Sequence, residues 1–283
     1  MSLPAYAGPI HKTWYYSFRV LCGLIFFFLM APIVIIIPLS FNAVPFFTFT
    51  QEMLSFDPAG YSLKWYEDFF TNLNWQGAVR NSVIIAFFST ILATALGTAA
   101  ALGLSRPHMP YRTAIMAILI SPMIVPLIIS AAGMYFFYTR VGLSGTHLGV
   151  ILAHTALGTP FVVITVTATL VGFDQSLIRA GYMCGANLPT VFFKVIMPLI
   201  LPGVISGALF AFVTSFDEVV VVLFLGSADQ RTIPWQMFSG IREQISPTIL
   251  AVATLLVCVS IALLTVVELL RRRSERLRGI QQT

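Results

Sequence analysis

Six apolar runs of roughly twenty residues constrain this chain more than any other feature. They lie at about 20–39, 79–102, 113–138, 150–171, 199–225 and 248–270. An α-helix needs about 20 residues to cross a hydrocarbon core of about 30 Å. Only helices and closed barrels satisfy every backbone group in lipid, and barrel strands read as short alternating segments. The expected fold class is therefore all-α, a polytopic membrane protein with six transmembrane helices. With 283 residues, 58% hydrophobic and 10% charged, the chain suffices for one bundle and no large soluble domain. Residues 20–270 form the membrane domain, between an N-terminal segment 1–19 and a basic tail 271–283. The first run is too long for a signal-peptide core and lacks a small-x-small cleavage site, so it reads as an uncleaved span.

The formal net charge of +5 points to orientation rather than nucleic acid. With both termini inside, Lys12, Arg19, Arg106, Arg112, Arg179, Lys194 and the tail arginines collect on one side. Lys64, Arg80, Arg140, Arg231 and Arg242 face the other, with most of the acids. That asymmetry is the positive-inside signature, and it puts the 174–202 connection on the cytoplasmic face. Pro122, Pro126 and Gly133 in span 3, and Gly158 and Pro160 in span 4, predict kinked or broken helices lining protein or water. A short helix is expected around Leu63 to Phe70. Cys22, Cys184 and Cys258 are scattered, forming neither a disulfide framework nor a metal-ligand spacing.

The polar interruption Asp174–Pro202 is the most informative connection. Asp174 is placed to cap a helix starting at Gln175. Leu177, Ala180, Gly181 and Cys184 form a small apolar face at helical spacing, against which another surface can pack closely. Gly185 suits a left-handed helix end, and Pro189 the first position of a second short helix. Residue pattern alone leaves open an ordinary amphipathic connection.

The segment resembles the EAA loop of ABC-importer permeases, whose pattern is Glu-Ala-Ala, three residues, Gly, nine residues, Ile-x-Leu-Pro. Here those positions read Arg179-Ala180-Gly181, Gly185 and Val195-Ile196-Met197-Pro198, with Gly185-Ala186 and Pro198 identical to the usual pattern. Arg179 replaces the acid and Gly181 the second alanine. Ser62-Leu63-Lys64-Trp65-Tyr66 and Asn81-Ser82 look like the same family. The resemblance implies that Arg179, Ala180, Gly181, Gly185, Ala186 and Pro198 belong to a coupling helix seated in a cytoplasmic ATPase. It further implies a second permease subunit, two ATP-binding subunits and a periplasmic solute-binding protein, in a bacterial inner membrane. The outer segments around Glu52–Asp68 and Arg231–Glu243 are then expected to receive the binding protein.

Acids inside a membrane are costly and functional by default, which singles out Asp217-Glu218 in span 5. As one helix, 199–225 would extend roughly 40 Å, placing both acids in its outer half and about 100° apart. The acidic pair followed by a valine run resembles the spermidine/putrescine branch of these permeases. A carboxylate in a partly dehydrated passage suits an amine cation, with Phe216 or Tyr135 supplying cation–π attraction. Pro122-Met123 lacks the acid associated with that part of span 3 in some polyamine permeases.

Two other readings compete. Asp217 or Glu218 could carry a proton in an ion-coupled secondary carrier. Gly142-Leu143-Ser144-Gly145, with His147 and His154 nearby, matches a short intramembrane serine-protease pattern. That motif is short enough to recur by chance, and turns account for its glycines. His154 reads as a packing or hydrogen-bonded residue. No metal or cofactor is expected in this chain. None of its lysines follows a glycine, so no phosphate-binding loop is present. ATP and Mg are expected on partner subunits, and this chain is expected not to be an enzyme.

Overall fold

The computed structural model describes residues 8–106, 108–174, 176–243 and 246–277. The helices, in chain order, are α1 (Pro9–Leu39), α2 (Gln51–Leu54), α3 (Lys64–Thr71), α4 (Leu73–Leu104), α5 (Arg112–Ile124) and α6 (Leu127–Arg140). They continue with α7 (His147–Val171), α8 (Ser176–Met183), α9 (Leu188–Val191), α10 (Met197–Phe216), α11 (Val220–Leu225), α12 (Ile233–Glu243) and α13 (Thr248–Leu277). Among the described residues the only β pairing is a bridge between Asn42 and Tyr61. The all-α fold class stands.

Among the described residues four helical stretches are long and apolar enough to cross a membrane: Pro9–Leu39, Leu73–Leu104, His147–Val171 and Leu188–Phe216. The α5–α6 pair makes a fifth if counted as one span, and α13 contributes the shorter apolar stretch Thr248–Ala262. Helix ends differ from the apolar runs because backbone hydrogen bonding continues where hydropathy stops. The first helix begins at Pro9, whose missing N–H costs nothing at a helix start, so it runs through the 19/20 boundary. Residues 1–7 and 278–283 of the terminal segments, and Gln175, lie outside the described residues.

The predicted break in span 3 falls at Val125–Pro126, where α5 and α6 meet at 103°. Pro126 cannot donate a hydrogen bond, and it forces Val125 into an extended conformation (φ −69°, ψ 133°). Pro122 is instead absorbed within α5. Span 5 departs further from expectation. Its helical path starts at Leu188, runs through a π turn at Phe192–Ile196, and stops at Phe216. Asp217-Glu218-Val219 interrupt it before α11, so the two acids do not share a continuous helix.

The chain divides into two compact units, 73–239 and 1–72 with 240–283. In the first, α4, α7 and α10 pack on one another through small residues. A Cβ added at Gly97 would meet Val162 Cβ at 2.6 Å, and one at Gly207 would lie 2.8 Å from the Val162 Cα. Both glycines are therefore required for close helix approach, the packing mode that drives helix association in lipid. Ala93, Ala101, Val162, Val166, Ile200 and Ala211 fill this contact, and α6 and α11 close on α4 and α7 around Ile85, Ala131, Val150 and Val222.

In the second unit Asn42 is fully buried. Its amide donates to the Phe46 and Thr48 carbonyls at 3.0 and 2.7 Å, and its Oδ1 accepts from Val44 N at 3.0 Å. Trp65 Nε1 donates to the Asn42 carbonyl at 2.7 Å, and Thr248 Oγ1 donates to Asp68 at 2.8 Å. The expected helix near Leu63 is α3, and these bonds hold its aromatic and acidic residues in place.

Candidate functional site

The Asp174–Pro202 connection is built from local signals. Asp174 accepts from Ser176 N at 2.8 Å and from Ser176 Oγ at 2.6 Å, which starts α8. Those bonds, with the Arg179 charge as a smaller contribution, hold the Asp174 carboxyl below its ordinary range. The far end of α8 closes as expected. Ala186 N donates to Gly181 O at 3.1 Å and Gly185 N to Tyr182 O at 2.9 Å, with Gly185 at φ +80°. This is a Schellman motif, which satisfies carbonyls left open by the helix end. Asn187 Oδ1 then accepts from Thr190 N at 3.0 Å, so α9 begins at Leu188 and Pro189 is its second residue rather than its first.

This geometry sorts the residues of the EAA-like loop. Arg179, Ala180, Cys184 and Gly185 are exposed, as is Met183 at 89%. Gly181 lies on the other side, where an added Cβ would come 3.2 Å from the fully buried Val191. Gly181 thus lets α8 lie on α9, and the small face predicted for an outside surface is partly used within the chain. Ala186 is half-buried, and Pro198 is exposed at the second position of α10. Behind α8, Ile178, Tyr182, Phe192 and Leu102 line a groove of about 530 Å³.

At the break in span 5 the two acids have separate environments. Asp217 closes α10 through its own N–H to Val213 O at 3.0 Å, and its side chain is exposed. Glu218 is 8% exposed, and its Oε1 accepts from Val221 N at 2.8 Å. Glu218 therefore caps α11, the role a carboxylate fills at a helix start. Phe216 stacks on Phe212, and Tyr135, 39% exposed, packs edge-on against Phe136. Each ring is thus held by its own helix, and no ring contact joins the two.

Just before the break lies a polar chain unforeseen in the sequence beyond His154. Ser215 Oγ is 2.8 Å from both His154 Nδ1 and Ser89 Oγ, and Ser89 reaches Ile85 O at 2.6 Å. The three side chains come from α7, α10 and α4 and are all buried. Isolated serines in two apolar spans were the available sign, but their pairing depends on helix rotation.

The other end of α4 is fastened by Asn81-Ser82. The Asn81 amide donates to the Asp229 and Arg231 carbonyls at 2.8 and 2.9 Å. Its Oδ1 therefore accepts from His147 Nε2–H at 3.0 Å. Ser82 Oγ accepts from Ile233 N at 2.8 Å, starting α12. The protease pattern is not assembled: His147 is held by Asn81 and His154 by Ser215. Gly142 and Gly145 have φ of 73° and 72°, the turns expected of them. Among the described residues no group of His, Cys, Asp and Glu could hold a metal ion.

Residues 93–278 match the family described as binding-protein-dependent transport system inner membrane component. The chain belongs to that family. The permease is 32% identical, over 88% of its length and 94% of the relative's, to the spermidine/putrescine transport system permease protein PotC of Haemophilus influenzae. The Escherichia coli K12 protein of the same description is 29% identical over 88% of this chain and 91% of its own. The putrescine transport system permease protein PotI of that strain is 29% identical over 82% of each. Among solved structures, a bacterial ABC transporter involved in import of the acidic polysaccharide alginate superposes with a TM-score of 0.69 at 16% identity. That match covers 95% of the permease and 99% of the other chain. A MetNI methionine ABC transporter chain gives 0.53 at 21% identity, covering 72% and 95%. At such identities the likeness is one of fold. The permease is thus a multi-pass inner-membrane transport subunit of an ABC importer.

Proposed function

We propose that the permease carries a polyamine, or a closely related cationic amine, into the cytoplasm. The observation that carries this reading is the similarity to a spermidine/putrescine permease across 88% of the chain. The exposed Asp217 at a helix break supports it, because the cargo is a cation and Glu218 is already engaged as a cap. Phe216 and Tyr135 would border the passage with aromatic faces.

In this assembly a second permease completes the passage, two ATP-binding subunits hold ATP and Mg, and a secreted binding protein delivers cargo. This chain supplies no ATPase site and performs no chemistry of its own. Both termini and α8 face the cytoplasm. On the opposite side, Glu52–Asp68, with exposed Phe46 and Phe56, and, separately, the segment from Arg231 to Glu243 would each meet the binding protein. ATPase closure pulls on the Asp174–Pro202 segment that contains α8. The break at Pro126 and the interruption at Asp217 allow the helices to switch between inward- and outward-open arrangements.

The test is spermidine or putrescine uptake by the assembled transporter in proteoliposomes. Uptake should need ATP on the α8 side and binding protein on the other. Transport that survives ATP depletion and collapses with the proton gradient would replace this reading with the ion-coupled carrier.

A further inference from the structure

We propose that the groove behind α8 binds an anionic phospholipid, with an acyl chain among its apolar residues and the headgroup phosphate at Arg106. The groove holds about 530 Å³, and all its lining residues belong to the 73–239 unit. Its place in the fold suits a lipid. Leu102, Leu170 and Leu188 line it, at the ends of the candidate spans Leu73–Leu104, His147–Val171 and Leu188–Phe216. Span ends mark the level where acyl chains give way to headgroups.

The lining is apolar but for one charge. Among the described residues Arg106 is the only ionisable cation that lines the groove, and no carboxylate does. Arg106 is exposed, and its guanidinium has no partner among the described residues. The acid that follows Phe173 in the chain, Asp174, is already engaged by Ser176. Exposed Lys194 sits on the π turn Phe192–Ile196, which supplies Phe192, Phe193 and Ile196 to the lining. π turns are rare and occur mostly at functional sites, so this irregularity points to the same groove. A basic pocket among span ends is what holds an anionic headgroup. A cationic amine finds no carboxylate there, and a free anion gains nothing from the apolar lining. Ile178 and Tyr182 bring α8 into the same wall. A lipid seated behind α8 props the element proposed to meet the ATPase, so bilayer charge becomes an input to coupling.

The experiment uses the complete transporter in nanodiscs carrying phosphatidylglycerol or phosphatidylcholine, each with a photoactivatable diazirine in the same acyl chain. Label is read as the ratio of the 180–194 peptide, between Arg179 and Lys194, to the 195–231 peptide of span 5. Phosphatidylglycerol should give a ratio about fivefold above phosphatidylcholine, and Arg106→Gln should remove that excess. Arg106→Lys, which keeps the charge, should retain it. Arg106 is exposed, so neither change puts folding at risk. Excess inorganic phosphate at constant ionic strength should leave the ratio unchanged. Uptake per ATP should fall in phosphatidylcholine alone and in Arg106→Gln. Equal ratios for the two lipids, or an excess that survives Arg106→Gln, overturn the site. Displacement by inorganic phosphate overturns it too, assigning Arg106 to a free anion. An unlabelled 180–194 peptide does the same, with the groove closed by an ATP-binding subunit. Label in the groove with uptake per ATP indifferent to lipid charge overturns the part in coupling. Labelling needs neither cargo nor ATP, so its failure leaves the importer reading intact.

Discussion

Asp217 and Glu218 are neighbours in sequence with opposite surroundings, and their substitutions should separate accordingly. Asp217→Asn removes a charge that faces open space, so the KM for spermidine uptake should rise tenfold or more with assembly and melting temperature unchanged. Glu218→Ala removes the cap on Val221 N–H, a loss of about 1 kcal/mol. For a chain of this size that is a fall in Tm of about 2–4 °C with little change in KM, measured by thermal unfolding in detergent. Ser215→Ala breaks the link between His154 and Ser89 and strands a buried imidazole, costing about 1–3 kcal/mol. Sequence located the acidic pair and the reason a membrane acid matters. It could not divide their roles, because that depends on where α10 stops. The stop is set by the Glu218 carboxylate competing for the Val221 N–H, a contact that periodicity does not reveal.

At the scale of elements, α8 is held by its two ends more than by packing. Gly185 sits at φ +80°, where a β-branched residue is strained by roughly 1–2 kcal/mol. Gly185→Val should loosen the 184–187 turn and leave the spans intact, so that ATP hydrolysis continues while uptake per ATP falls. Asp174 acts at the other end, and its pH behaviour has a definite sign. Its folded pKa is depressed, so its support of α8 is complete above the ordinary carboxylate range and is lost as pH falls through the lowered value. At neutral pH, Asp174→Ala should reproduce that loss, seen as faster hydrogen exchange at Ser176–Arg179. The spacing of Asp174, Gly185 and Asn187 made this element legible in advance, since caps are local. The orientation of Gly181 toward Val191 was not legible, because both faces of so short a helix carry small apolar residues. The same contrast holds in the spans. Pro122 and Pro126 each permit a break, and the chain uses the second, where Val125 is extended.

For the molecule as a whole, sidedness is the property from which every proposed partner follows. The chain carries three cysteines, all exposed on its own surface, and they are usefully distributed. Cys22 and Cys258 lie within α1 and α13, so lipid should shield them from a charged, membrane-impermeant maleimide. Cys184 lies beside Gly185 at the end of α8, outside the candidate spans. With α8 facing the cytoplasm, the reagent should label Cys184 in inside-out vesicles and leave it untouched in intact spheroplasts. Cys184→Ser should abolish that labelling. A cysteine placed at exposed Ser227, beside the Asn81 end, should show the reverse pattern. Adding the ATP-binding subunits should then protect Cys184 and leave the Ser227→Cys site reactive. Protection depends on contact at α8 and sidedness on the lipid barrier, so the two are read separately. Labelling of Cys184 from the spheroplast exterior would invert the permease and remove both the ATPase from α8 and the binding protein from the opposite face.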